Sequence, residues 1–529
     1  MWHTKENTPT GGRLTGAANT VLRVTGAAIL AVLTLLSLGY TQYMMPGEAE
    51  KMINVRDNIF ANLVFPAGIV GLGCVLHPVA NRLTDTVKKR ISVMTLLAAM
   101  LSVAVQSFRW IWSADRVPVG DQAYIYGGAS YFGEGNYAFL TEGAYCSMFP
   151  YQLGLIALVE LLFVFAGAYN YLAFEVVCAV MAVAIVGIGY LILREMTESL
   201  FAAVLYNALM SICLPLIFYT SWVYGDLPGT FFMLLCAWAV LRLGKSRRKR
   251  WIPVAALSMM LAVLVRMNSI IFLVAVCIVG ILGALQYRNG RLMLAVILAV
   301  ILPFMAYQGV YKFYENRSGI EHSEGIPFWA TIAMGLQESG SGNGWCNDYH
   351  KNTYRDCGLD RALTAETAKK DIVERLKEFS EDPAYAAAFM GRKLASQWNA
   401  PLYQSLYFNG DYPDENWKAR DSAAYRLAHE DFHVALTLTD RLQFVVYMGT
   451  LLYFIFAVRR DSGILQHILA VTVVGGFLFS MLWEAKARYS FPYYIVMFPM
   501  AALGYQKLYC AAGQLYAKVR TCFLKKNRV

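Results

Sequence analysis

The chain has 529 residues, 57% of them hydrophobic and only 16% charged, which excludes a disordered or nucleic-acid-binding chain and places it among polytopic membrane proteins. Its net charge of +10 comes from basic residues gathered in short loops between apolar runs, the positive-inside distribution rather than a polyanion-binding surface. The ten cysteines fall mostly within apolar segments and form no CxxC pair, so nothing indicates a structural zinc site.

Crossing a bilayer takes ~20 apolar residues. The first run, Val21–Met44, has no secretory cleavage site before it and reads as a retained span, followed by a second at Ile59–Ala80. The basic stretch Asn81–Arg90 then marks the cytoplasm, so the span Ile91–Trp112 emerges on the outer side. There the chain changes character. Ser113–Pro150 is polar, glycine-rich and aromatic, with Asp121, Gln122 and Tyr124 near its head.

The next cytoplasmic marker is Arg242–Arg250, so the crossings between the two markers are even in number. Apolar runs there are Ile91–Trp112, Tyr151–Gly167, Tyr171–Leu193, Leu200–Trp222 and Leu227–Leu241, an odd set. Tyr151–Gly167 is short, follows Pro150 and carries Glu160, and it is expected along the outer interface. Asp226 then falls outside. Trp251–Tyr287 reads as two short helices meeting at Arg266-Met267-Asn268 on the outer side, and Leu292–Tyr311 leads out again.

From Lys312 to Asp440 the composition turns polar and rich in Tyr and Trp, the expectation being a small extracytoplasmic α or α/β domain. Leu442–Val458, Ile464–Trp483 and Phe491–Leu508 complete the expected spans, with a basic tail beyond. The expectation is an all-α polytopic membrane protein with about twelve transmembrane helices plus an interfacial helix, both termini cytoplasmic and the active site extracytoplasmic at the plasma membrane. Three regions follow: 1–311 with the outer loop 113–150, an extracytoplasmic domain at 312–440, and terminal helices with the tail at 441–529.

This topology gathers Asp121, Gln122, Asp226, Arg266, Asn268 and the segment Glu484–Tyr489 at one face. Such ionisable groups among apolar segments are costly and often line sites. A carboxylate there can take a proton from an acceptor hydroxyl, while Arg266, Lys486 or Arg488 can hold a phosphate as it leaves. Tyr and Trp faces suit sugar rings. Together these describe transfer of a sugar from a lipid phosphate to an acceptor hydroxyl.

Several short stretches resemble the GT-C superfamily of integral-membrane glycosyltransferases, in particular bacterial relatives of protein O-mannosyltransferases and of the lipid A aminoarabinose transferase. They are Asp121-Gln122 followed by Tyr124, MFPYQLG (Met148–Gly154), Pro215 with Tyr219 and Asp226, PFWATIAMGLQESGSGNGWCN (Pro327–Asn347), and EAKARYSFPYY (Glu484–Tyr494). The resemblance implies a GT-C-like fold, a polyprenyl-phosphate sugar donor, inversion at the anomeric carbon and Asp121 as general base. Beside it, the charge and position of the other residues suggest that Lys486 and Arg488 bind the donor phosphate, that Tyr489 and Asp226 shape the site, and that Gln122, Tyr124 and Arg266 also meet the substrate, with a glycan, lipid or protein as acceptor. Gln122 stands where the mannosyltransferases have Glu, which favours other bacterial members. The two spans Val21–Met44 and Ile59–Ala80 are an addition to the usual one before the loop. No cofactor is required by these residues, and a divalent cation stays open.

Two other readings compete. A transporter or flippase of lipid-linked saccharides would also want polar groups at the interface, but no internal repeat is visible. His429-Glu430-Asp431-Phe432-His433 matches H-E-x-x-H, the pattern of a zinc metalloprotease when it lies on one helix. Asp431 intervenes, no Glu follows before Glu484 and no further His before His467, so the expectation is an amphipathic helix instead. Cys346 and Cys357 share the outer region, and whether they pair is left open.

Overall fold

The structure is a computed structural model that describes residues 9–114, 117–410 and 422–526. Among the described residues, eight helices are long and apolar enough to cross a membrane, or up to ten if each of two bent pairs is one span. This is a multi-pass, all-α membrane architecture. The expected count of about twelve is not reached on length and apolarity, because four expected spans lie outside the eight: Leu200–Trp222, present only as a bent pair, and those in Trp251–Val265, Phe432–Phe456 and Phe491–Lys526.

Local signals place the helix starts. Asn58, Thr84, Asn170 and Ser199 each accept a backbone N–H from the residue three positions on, and Asp360 accepts from Ala362 and Leu363. Outward faces stay apolar, as with Met94, Leu97 and Leu101 on Asp85–Ser113 or Ile270, Val274 and Ile278 on Ile270–Tyr287. Between helices, small residues permit close crossing. A Cβ on Gly504 would lie 1.9 Å from the Gly449 carbonyl, so Phe432–Phe456 and Phe491–Lys526 touch backbone to backbone there.

Several expectations are revised. The first helix is Pro9–Gly39 and does not reach Met44; Tyr40–Tyr43 (β1) instead pairs antiparallel with Ile53–Arg56 (β2), Tyr40 opposite Arg56. Leu200–Trp222 is not straight but bends by 50° between Leu200–Ser211 and Leu214–Ser221. The run after Pro150 forms Leu153–Ala166 beyond a 105° bend, with Glu160 held by Arg317 at 2.6 Å and Tyr314 at 2.7 Å. The expected break at Arg266 is present, between Trp251–Val265 and Met267–Ser269.

The compositional boundaries at 311/312 and 440/441 fall inside continuous helices, Gly290–Ser318 and Phe432–Phe456, so neither is a backbone boundary. Between them, described residues 319–410 are helices and turns without a strand, with small cores around Ala330, Ala333 and Ala368 and around Leu336, Phe379 and Phe389. That segment is α rather than α/β. Cys346 and Cys357 are both free thiols.

Candidate active site

Gly120 has φ +62°, a conformation open to glycine, and the turn it makes sets Asp121 as the first residue of the helix Asp121–Gly133. A carboxylate suits that helix end. Its Oδ2 accepts from Arg488 Nη2 at 2.9 Å, the aspartate side chain being 41% exposed and the arginine 7%. Burial pushes this carboxyl up, but Arg488, Lys486 and Lys351 outweigh it and hold it below the usual carboxylate range. Asp121 is therefore an ionised and reachable group on a buried guanidinium.

A second pair lies alongside. Asp226 opens the helix Asp226–Ser246, is almost wholly buried, and sits 2.9 Å from Arg266 through Oδ1 while Oδ2 accepts from Trp222 Nε1 at 3.0 Å. The Asp226–Arg266 contact lacks hydrogen-bond alignment, so it acts as an ion pair alone. Arg266 reaches it because the backbone is extended at the helix break and packs against glycines. A Cβ on Gly225 would lie 1.9 Å from the Val265 carbonyl, and one on Gly229 3.0 Å from Arg266 Cβ.

Aromatic rings join the two pairs. Arg266 lies 4.9 Å from the Tyr224 centroid and 5.3 Å from that of Tyr489, and Arg488 lies 5.1 and 5.5 Å from the same two rings. Trp222 and Phe408 complete the ring wall around Arg488. Arg488 Nε is buried with no hydrogen-bond partner, so a donor remains unused. Tyr489 donates to Glu484 at 2.9 Å.

Lys486 lies at the edge of this cluster. Its ammonium is 2.7 Å from Glu50 and 5.6 Å from the Trp345 ring centroid. Burial lowers it, but Glu50 and Glu484 outweigh this and keep it above the ordinary lysine range. Gln404 binds this arrangement together, its Nε2 donating to Glu50 at 3.3 Å and its Oε1 accepting the Arg488 N–H at 3.2 Å. Tyr403 and Gln404 both have positive φ, 49° and 60°, strain of about 1–3 kcal/mol per residue that is kept where the surroundings enforce it. Tyr219 and Gln443 enforce it, bonding Tyr403's carbonyl and hydroxyl at 2.7 Å each.

Of the residues singled out from sequence, Asp121, Asp226, Arg266, Arg488 and Tyr489 meet in one cluster, with Lys486 at its edge. Gln122 is buried and has a different task, accepting the Val223 N–H at 2.8 Å and so tying Asp121's helix to the Trp222–Asp226 stretch. Tyr124 does not join the cluster: its ring stacks on Tyr145 at 4.1 Å. Glu50, Trp345, Gln404 and Tyr224 were missed. The only trace of Glu50 is an acidic step, Gly47-Glu48-Ala49-Glu50, between the first two apolar runs.

Two adjoining crevices share Asn268, Tyr489 and Tyr493, one reaching Asp226, Arg266 and Met233, the other Glu484, Phe479 and Trp483. The Asp226–Arg266 pair thus borders a small crevice whose wall is shared with its neighbour. Among the described residues no group of three or more His, Cys, Asp or Glu could hold a metal ion. The H-E-x-x-H pattern is not on one helix. Ala423–Ala428 ends before it, His429 has φ −124° and ψ −78°, and the next helix starts at Phe432, so the i, i+4 alignment that zinc needs is lost. The expected amphipathic helix through this motif is broken by the same turn.

No family model and no curated protein matches the sequence. Among solved structures, the crystal structure of ArnT from Cupriavidus metallidurans bound to undecaprenyl phosphate is similar at 14% identity and a TM-score of 0.32, covering 77% of this chain and 77% of that one. A likeness that distant assigns no residue.

Proposed function

We propose that the protein is a membrane glycosyltransferase that moves a sugar from a polyprenyl-phosphate donor to an acceptor hydroxyl at the outer face of the membrane, with inversion. The observation that carries this reading is the half-open Asp121 carboxylate on a buried, ring-walled Arg488, beside the Asp226–Arg266 pair, which lines a small crevice with Met233, Pro492 and Tyr493. Such a crevice suits a lipid chain, the rings suit a sugar, and the cations suit its phosphate. Asp121 accepts the proton of the acceptor hydroxyl as its oxygen attacks the anomeric carbon. The bond from that carbon to the phosphate oxygen breaks, its electron pair leaves on the phosphate, and polyprenyl phosphate is released. Arg488, through its unused Nε, and Lys486 bind the phosphate as its charge grows. Arg266, Asp226 and Tyr489 shape the sugar side, and Gln122 fixes the loop that carries the base.

The test is sugar release from a panel of radiolabelled polyprenyl-phosphate monosaccharides by the wild type and by Asp121→Asn. Loss of a general base lowers the rate by ~10²–10⁴-fold. Because the neighbouring cations keep Asp121 ionised, no acid limb in the rate is expected down to about pH 5. Full activity in Asp121→Asn overturns the assignment of the base, and a wild type that binds no polyprenyl phosphate overturns the donor class.

A further inference from the structure

The site is electrically satisfied before any substrate arrives. Four cations act on it, and each already has a carboxylate within 3 Å: Arg488 with Asp121 at 2.9 Å, Arg266 with Asp226 at 2.9 Å, Lys486 with Glu50 at 2.7 Å, and Lys351 with Asp348, its own i,i+3 neighbour, at 2.9 Å. A phosphate entering this cluster needs a cation released from its partner. Asp226 is held by Trp222 and almost wholly buried, and Asp121 is fixed at a helix start. Glu50 differs from both.

It lies between β1 and β2, in a stretch of turns and bends where Gly47 has φ +79°. Its side chain is 29% exposed against 12% for Lys486. The ends of the hairpin are anchored: the Gln42 N–H donates to the Asn399 carbonyl and the Met52 N–H to the Ser341 carbonyl, both at 3.0 Å. Met44 packs with Trp345, Ala485 and Ala487, beside Lys486. Between those anchors Met45 packs on the main helical core, and beyond it the tip meets Tyr407 at the Glu48 carbonyl, 3.4 Å, and holds Lys486 and Gln404 through Glu50 itself.

We propose that Glu50 is a placeholder anion, seated on Lys486 in the empty protein where the donor phosphate binds, and that donor entry lifts the tip of the hairpin off the site. This rests on the reading of Lys486 as a phosphate ligand. The hairpin becomes a lid whose latch is the same charge that the substrate brings. Apparent donor affinity is then reduced by the fraction of molecules with the latch open, so a tip seated nine times in ten weakens binding about tenfold.

The experiment measures binding of undecaprenyl phosphate, without sugar, to detergent-purified wild type, Glu50→Gln, Lys486→Gln and the double variant. Glutamine keeps the shape and the contact to Gln404 while removing the charge. Glu50→Gln is expected to bind about tenfold tighter, with the gain absent on the Lys486→Gln background. Equal or weaker binding by Glu50→Gln overturns the proposal and makes Glu50 a residue that merely positions Lys486. Unchanged binding in Lys486→Gln removes the underlying phosphate assignment instead, so the two failures are distinguishable. A second readout needs no variant: backbone hydrogen exchange over residues 44–52 of the wild type should rise when undecaprenyl phosphate binds. Slower exchange there overturns the lid.

Discussion

The Asp226–Arg266 pair gives the sharpest test of how the site is held together. Both side chains are buried, 1% and 11% exposed, so neither charge is well solvated if its partner is removed. Breaking such a pair from one side costs about 3–5 kcal/mol. Arg266→Met leaves Asp226 only the Trp222 N–H and should cost about 4 kcal/mol. Asp226→Asn is milder, because the Tyr224 and Tyr489 rings still compensate Arg266 by up to ~2 kcal/mol, leaving a cost of about 2–3 kcal/mol. The double variant holds two neutral groups and should lose only about 1–3 kcal/mol, giving a coupling of at least ~3 kcal/mol. Unfolding by SDS titration in mixed micelles, followed by tryptophan fluorescence, measures all four proteins. Additivity within ~0.5 kcal/mol would refute the pair as an energetic unit.

Two further outcomes are expected. Gly225→Ala puts a methyl into the Val265 carbonyl, and should cost a few kcal/mol and raise the donor KM by displacing Arg266; an unchanged melting curve refutes the close approach. At the root of the hairpin, Thr41 Oγ1 lies 2.8 Å from Asp57 and 2.7 Å from Asp440, yet a hydroxyl carries one proton, so a carboxyl must supply the second. Burial and the Asp57 charge push Asp440 up to about 7, so between about pH 4 and 7 the folded state binds more protons than the unfolded chain. Stability on the order of a few kcal/mol is thus present at low pH and lost as pH rises through about 7, and Asp440→Asn should flatten that slope in melting experiments across pH.

Much of the cluster was legible because charge is scarce here. Asp121, Asp226, Arg266 and Arg488 stand out against apolar surroundings, and alternating basic loops put them on one side before any geometry was known. The break at Arg266 was legible for the same reason, since an arginine in mid-run has to reach a partner. The hairpin was not. Tyr40–Tyr43 continues the preceding apolar run, so hydropathy merges a strand with the helix before it. Composition also failed to mark the outer segment's edges, because residues 312–318 turn polar while remaining good helix formers. Nor does any glycine or proline announce the turn at His429–Asp431, where a helical motif on paper is split in space.

The helix Gly290–Ser318 carries a consequence of its length. Its 29 residues extend ~44 Å, against ~30 Å for the hydrocarbon core, so about 14 Å stands clear of the lipid tails. Tyr314 and Arg317 belong to that overhang, and they grip Glu160 on the segment beyond the 105° bend. The overhang is a post to which the bent segment is moored, beside the outward apolar face of Leu161, Val164 and Phe165.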